Sequence, residues 1–280
     1  MNDPEPIDMP NENQRTGTVI WELQYSYPGG YPLHLDLYLP VEGHGPFPVV
    51  LWISGGGWWE CDKTRAYYSS LLVANGFATA SIRYRTSKQA IAPANIHDCK
   101  AAVRWLWANA ARYHLDPNRI GAWGASAGGH LAALLGVSAG VPELEGDGGN
   151  AGFSSAVKAV CDFNGPSDLT RVAIPEIREK YQDLYKVTEC YLGGPVAERC
   201  DLARMVSPLT YVTRGSPPML IFHGSADTVV PVEESELLYK AMRCAGAKAE
   251  LDVLPGAEHG WDHVTLTDEK VISFFKRELD

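Results

Sequence analysis

The hydrophobic positions of this chain change period as it proceeds, and the changes mark its elements. Residues 31–39 alternate strictly: Leu33, Leu35, Leu37 and Leu39 share one face, and His34, Asp36 and Tyr38 share the other. This is the period-2 pattern of a strand with one wet face. With the apolar residues of 18–27 before it and Pro28-Gly29-Gly30 between, it predicts an antiparallel hairpin. Residues 47–53 are continuously apolar and end in Ser54-Gly55-Gly56-Gly57, as suits a strand buried on both faces of a parallel sheet. Helices and strands then alternate: helix 65–75, strand 77–82, helix 95–113, strand 120–123, helix 127–137 and strand 156–163. After a gap come strand 219–222, helix 233–244, strand 249–254 and helix 267–278. The helix over 95–113 shows its buried stripe plainly, with Ile96, Cys99, Val103, Leu106 and Ala110 at spacings of three and four. This order predicts an α/β fold, a mostly parallel central sheet with helices on both faces.

In the gap, 164–217, Pro166, Pro175, Gly193, Gly194, Pro195 and Pro208 punctuate short helical pieces such as 176–184. An irregular stretch that long inside a compact domain reads as a small inserted cap. With no internal repeat and no linker, residues 18–280 read as one domain behind a flexible N-terminal tail, 1–17.

Composition agrees with one large core: 280 residues, 45% hydrophobic and 21% charged. A net charge of −10 without a Lys/Arg cluster argues against nucleic acid or anionic membrane as partners. No apolar run approaches the roughly 18 residues of a membrane span. Residues 1–14 have neither a basic start nor an apolar stretch and do not read as a signal peptide. The expectation is a cytoplasmic protein, or an exported one if a signal has been removed. Six cysteines lack Cys-x-x-Cys spacing, which argues against zinc. Cys99 and Cys161 read as buried thiols, and Cys190 and Cys200 are expected to stay unpaired. The acidic run 233–236 reads as a solvated helix start, favoured by the dipole. The oligomeric state is left open.

The candidate chemistry centres on Gly124-Ala125-Ser126-Ala127-Gly128, between an apolar strand and an alanine-rich helix. So tight a strand-to-helix turn strains its central residue and demands tiny neighbours, leaving the Ser126 hydroxyl on an exposed corner. A serine there needs a base, an orienting acid and oxyanion donors. Ligands of parallel sheets bind beyond the carboxyl ends of strands. The segment after strand 219–222 supplies Asp227, and the segment after strand 249–254 supplies His259. The order Ser126, Asp227, His259 goes with an elbow serine on this architecture, with His259 as base and Asp227 orienting it. Asp252, in mid-strand, and Asp262, too near His259 in sequence, are weaker candidates for the acid. Gly56, Gly57 and the Ala127 N–H are the expected oxyanion donors, since glycines let N–H groups approach without Cβ interference. Trp58 and Trp261 are candidate substrate contacts, with Trp59 and the cap tyrosines Tyr181 and Tyr185 weaker ones. Asp98 reads as a helix cap or salt-bridge partner. A metal cluster of His259, Asp262 and His263 lacks further ligands, so neither metal nor cofactor is expected.

Four segments carry a resemblance: Ser-Gly-Gly-Gly-Trp at 54–58, Gly-Ala-Ser-Ala-Gly-Gly-His at 124–130, His-Gly-Ser-Ala-Asp-Thr-Val-Val-Pro at 223–231 and Gly-Ala-Glu-His-Gly at 256–260. Together with 161–169 they make the chain, from about residue 31 onward, similar to α/β-hydrolases of the hormone-sensitive-lipase-like esterase group. Within that group it resembles the bifunctional feruloyl and acetyl-xylan esterases. The resemblance implies a serine carboxylic-ester hydrolase acting through an acyl-enzyme on short-acyl esters, with a small-molecule or carbohydrate ester as substrate. The rival readings are a serine exopeptidase of the prolyl-oligopeptidase type and a non-catalytic ligand-binding receptor on the same scaffold. The family usually has histidine where this chain has Ser54, which predicts a working but less rigid oxyanion loop.

Overall fold

The computed structural model describes residues 5–8, 15–64, 66–260 and 265–279. Strand β1 (Glu5–Asp8) pairs antiparallel with β2 (Arg15–Ser26), and β2 pairs likewise with β3 (Leu33–Pro40). Residues 5–8 and 15–17 thus belong to the sheet edge, a correction to the flexible tail expected over 1–17. The alternation of β3 is real, but its second face is not wet. Helix α1 (Ala66–Val73) lies across that face, with Val73 packed against Tyr38. Asp36 is fully buried and accepts from Lys63 Nζ at 2.6 Å on both oxygens. Polar residues beneath a helix must be paired, and local periodicity does not report the helix.

Strand β4 (Phe47–Ile53) is buried on both faces, as its continuous apolar run predicts. Val49, Leu51 and Ile53 enter one core while Val50 and Trp52 enter the other. Strand β5 (Ala78–Ile82) lies between β3 and β4. The sheet continues from β4 through β6 (Leu115–Ala125), β7 (Ala159–Phe163), β8 (Met219–Gly224) and β9 (Ala249–Leu254), all parallel. Its full order is β1-β2-β3-β5-β4-β6-β7-β8-β9. Strand β6 starts earlier than expected because Leu115 pairs with Phe47. After this pair, residues 116–118 form a register shift, with the Asp116 carboxylate accepting from the Asn118 N–H at 2.9 Å.

Helix α2 (Ala94–Tyr113) buries its whole predicted stripe on one side of the sheet, beside α3 (Ala127–Val137). A short α4 (Pro142–Glu145) follows α3. The insertion between β7 and β8 is more helical than its prolines suggest, with α5 (Pro175–Lys180), α6 (Gln182–Leu192) and α7 (Cys200–Met205). Tyr191, Leu192 and Val206 from it are fully buried, so the insertion shares the main core. Helix α8 (Val232–Ala245) corrects a second expectation. Glu234 is buried, not solvated, and accepts from the Ser167 and Asp168 N–H groups at 3.0 and 2.9 Å. It clamps the base of the insertion to α8. Helix α9 (Thr265–Leu279) packs on the opposite face through Val271 and Phe275. No helix among the described residues is long and apolar enough to cross a membrane.

Candidate active site

Ser126 joins β6 to α3 at φ 56° and ψ −123°, a region that costs a non-glycine residue about 1–3 kcal/mol. The turn is enforced by closeness. A Cβ at Gly128 would overlap the Ile53 carbonyl oxygen, and one at Gly124 would overlap that of Gly128. The Ser126 N–H donates to the Phe163 carbonyl at 2.7 Å and to Asn164 Oδ1 at 3.0 Å, so the end of β7 holds the strained residue in place.

The three residues expected to act together do converge. Ser126 Oγ lies 2.9 Å from His259 Nε2, and His259 Nδ1 lies 2.8 Å from Asp227 Oδ2. A carboxylate only accepts, so Nδ1 carries the proton and Nε2 is free to accept from the serine hydroxyl. Asp227 Oδ1 accepts from the Val229 and Val230 N–H groups, both at 2.8 Å. Oδ2 receives a second histidine, His223 Nε2, at 3.2 Å. Burial disfavours the charged carboxylate, but the donors outweigh it: His223, His259 and the Val230 N–H hold Asp227 well below the usual carboxylate range. The rival acid Asp252 is paired with Lys270, and Asp262 and His263 lie outside the described residues.

The candidate oxyanion loop follows β4. Gly56 and Gly57 take φ values of 119° and 59°, and Gly57 sits directly against Val187 of α6. Among the described residues nothing accepts from the Gly56 or Gly57 N–H. The Ala127 N–H, at the first turn of α3, has no intrahelical partner by construction of a helix. Ser54 does not brace this loop through its side chain, whose hydroxyl, among the described residues, meets only Cys61 Sγ, at 3.4 Å. Other groups do so: the Tyr84 hydroxyl donates to the Ser54 carbonyl at 3.0 Å, and the Ser87 N–H and hydroxyl donate to the Trp58 carbonyl at 2.8 and 3.0 Å.

These groups open onto a cleft of about 1020 Å³. Trp52, Tyr68 and Phe163 line its aromatic side, and Leu184, Val187 and Cys190 of the insertion line the other. Trp59 stands exposed at the mouth with Lys88 Nζ 4.5 Å from its ring centroid. Trp58 borders the cleft, but its side chain is spent on packing: it is 1% exposed and stacked on Tyr191. Trp261 lies outside the described residues. Tyr181 is buried, and the Tyr185 hydroxyl donates to Glu189. Asp98 holds Arg85 at 2.7 Å, as a salt-bridge partner should.

Several participants escape a reading of the sequence. Asn164 links the elbow to the base loop, since its Oδ1 takes the Ser126 N–H and its Nδ2 donates to the His259 carbonyl. Its place just after a strand, beside the serine strand, was the available signal. Tyr84 had none, because it acts through contacts made on folding, whereas the partners of His223, Asp227 and Val230, lie only four and seven residues further on.

The family described as BD-FAE matches residues 35–242. Esterase LipC of Mycobacterium tuberculosis is 34% identical over 78% of this chain and 54% of its own length. The chain spans about half the length of the curated relatives it matches. Among solved structures, a truncated carbohydrate esterase from gut microbiota superposes with a TM-score of 0.83 at 33% identity, covering 93% of this chain and 96% of that one. The propionate-bound esterase Est2 of Thermogutta terrifontis gives 0.74 at 28% identity, covering 91% and 90%. The chain has the α/β-hydrolase fold and belongs to the BD-FAE family, within the hormone-sensitive-lipase-like esterases.

Proposed function

We propose that the protein is a serine carboxylic-ester hydrolase acting through an acyl-enzyme. The observation that carries the reading is the continuous line from Ser126 Oγ through His259 to Asp227, at 2.9 and 2.8 Å, opening onto the cleft. Ser126 Oγ attacks the ester carbonyl carbon while His259 Nε2 takes its proton. The negative oxygen that forms accepts from the Gly56, Gly57 and Ala127 N–H groups, each donor being worth about 10²–10³ in rate. Asp227 holds the tautomer and stabilises the imidazolium. Collapse breaks the bond to the alcohol, which leaves with the proton from His259. Water, deprotonated by His259, then attacks the acyl-serine, and the carboxylic acid departs as Ser126 regains its proton.

Short acyl esters, including acetylated or feruloylated carbohydrate, are the substrate class this reading favours. The likeness to a carbohydrate esterase and to an esterase holding propionate supports it, as does the aromatic lining of the cleft that Ser126 shares with Trp52, Tyr68 and Phe163. The test is a panel of p-nitrophenyl acetate to decanoate, methyl ferulate, acetylated xylan and dipeptide amides. Wild type is expected to hydrolyse acetate fastest and to leave the amides intact, and Ser126→Ala is expected to lose about 10⁴-fold or more in kcat. Wild-type turnover by Ser126→Ala overturns the assignment, and faster cleavage of the amides favours the exopeptidase.

A further inference from the structure

We propose that Trp58 is a positioning residue for the oxyanion loop, its indole pegged to His130 on the nucleophile helix. The pairing then sets the separation between the Gly56 and Gly57 N–H groups and Ser126. This rests on the hydrolase reading and assigns a role within it.

Three successive residues, Gly56, Gly57 and Trp58, take left-handed φ values of 119°, 59° and 56°. Tryptophan is a poor choice for that region and persists there only when its surroundings over-determine it. The surroundings do so. Ser87 donates twice to the Trp58 carbonyl. Tyr191 of α6 stacks on the indole at 4.5 Å and 17°. The indole N–H donates to His130 Nδ1 at 3.1 Å, between residues 72 apart in the chain.

His130 suits the task in two ways. Its own N–H donates to the Ser126 carbonyl at 2.9 Å, so it belongs to the first turn after the nucleophile. Its ring Nε2 lies 2.7 Å from the Val206 carbonyl, which only accepts, so Nε2 carries the proton and Nδ1 faces Trp58 with a lone pair. Burial pushes the imidazole down to about 4, which keeps that lone pair available at neutral pH. A tryptophan that merely filled space would need none of this. The buried indole N–H groups of Trp52, Trp107 and Trp123 go without a partner among the described residues. That of Trp58 has one, supplied by the helix that carries the nucleophile.

The experiment compares Trp58→Phe with wild type on p-nitrophenyl acetate and on a trifluoromethyl ketone, whose serine adduct places an oxyanion in the hole. A His130→Gln and His130→Phe pair accompanies it, because glutamine offers the indole an acceptor and phenylalanine does not. Trp58→Phe is expected to lose about tenfold in kcat with KM within about twofold, and to bind the ketone weaker by a similar factor. His130→Gln should keep more kcat than His130→Phe. Wild-type kcat and ketone affinity in Trp58→Phe overturn the proposal, and so does a rise in KM alone, which marks a substrate platform. If Trp58→Phe does not fold, equal kcat in the His130 pair overturns it instead. A wild type inert to both the ester and a fluorophosphonate probe removes the hydrolase reading, and this role with it.

Discussion

Asp227 has donors beyond His259, and His223 is the additional side chain among them. Its Nε2 faces two acceptors, Asp227 Oδ2 at 3.2 Å and the Val230 carbonyl at 3.0 Å, so it carries the proton. Nδ1 then accepts from the Ser235 hydroxyl at 2.7 Å. Because the folded-state pKa of Asp227 is depressed, its ionisation contributes stability above its unfolded value of about 3.9, lost as pH falls toward the folded value. Replacing His223 removes part of that depression. His223→Phe is therefore expected to be less stable than wild type by about 1–3 kcal/mol at pH 7, with a gap that narrows between pH 5 and pH 2. Urea unfolding across that range measures it. A gap constant with pH means that His223 only packs.

At the scale of elements, the C-terminal ends of β6, β7 and β8 supply the serine, Asn164 and the loop that carries Asp227. The end of β7 also holds an anomaly. Asp162 is fully buried, its Oδ1 accepts from the Gly165 N–H at 3.0 Å, and Oδ2 has no partner among the described residues. Burial pushes its carboxyl up to about 6, against the pull of Gly165 and His223. A folded pKa above the unfolded one favours the protonated native state. That advantage is complete below about pH 4 and is lost as pH rises through 6, a change of about 3 kcal/mol. Asp162→Asn should accordingly raise the melting temperature more at pH 8 than at pH 5. An equal gain at both, or a loss at pH 8, contradicts a buried uncompensated charge.

For the whole molecule, the insertion between β7 and β8 is welded to the core rather than hinged above it. Tyr191 and Val206 reach Trp58 of the loop after β4 and His130 of α3, and Glu234 ties the insertion's base to α8. The insertion carries Cys190 and Cys200, both free and exposed, as is Cys244 on α8, while Cys99 and Cys161 are buried. Burial raises the thiol pKa of Cys99 and Cys161 well above the ordinary value, which makes them inert as well as hidden. Thiol titration of native protein should find these three exposed groups reacting first, and all six after denaturation. Finding four in denaturant reveals a Cys190–Cys200 bridge. Cys190 lines the cleft, so a bulky maleimide should inhibit wild type and spare Cys190→Ser.

Much of this arrangement is written locally. Periodicity places β4 in a two-faced core, the small residues around Ser126 specify the elbow, and Asp227 and His259 follow strands in the order the fold demands. Each of these depends on neighbours a few residues away, which a sequence displays directly. The burial of Asp36 under α1, the clamp of Glu234 on 167–168, and the pairing of Trp58 with His130 are of another kind. Each depends on which packed surface or backbone group comes to face a side chain, and the Trp58–His130 bond spans 72 residues. Polar residues in such places are read from the chain as exposed or as simple packing. Only the assembled sheet, with helices on both faces, removes water from them and supplies the partner that makes their burial affordable.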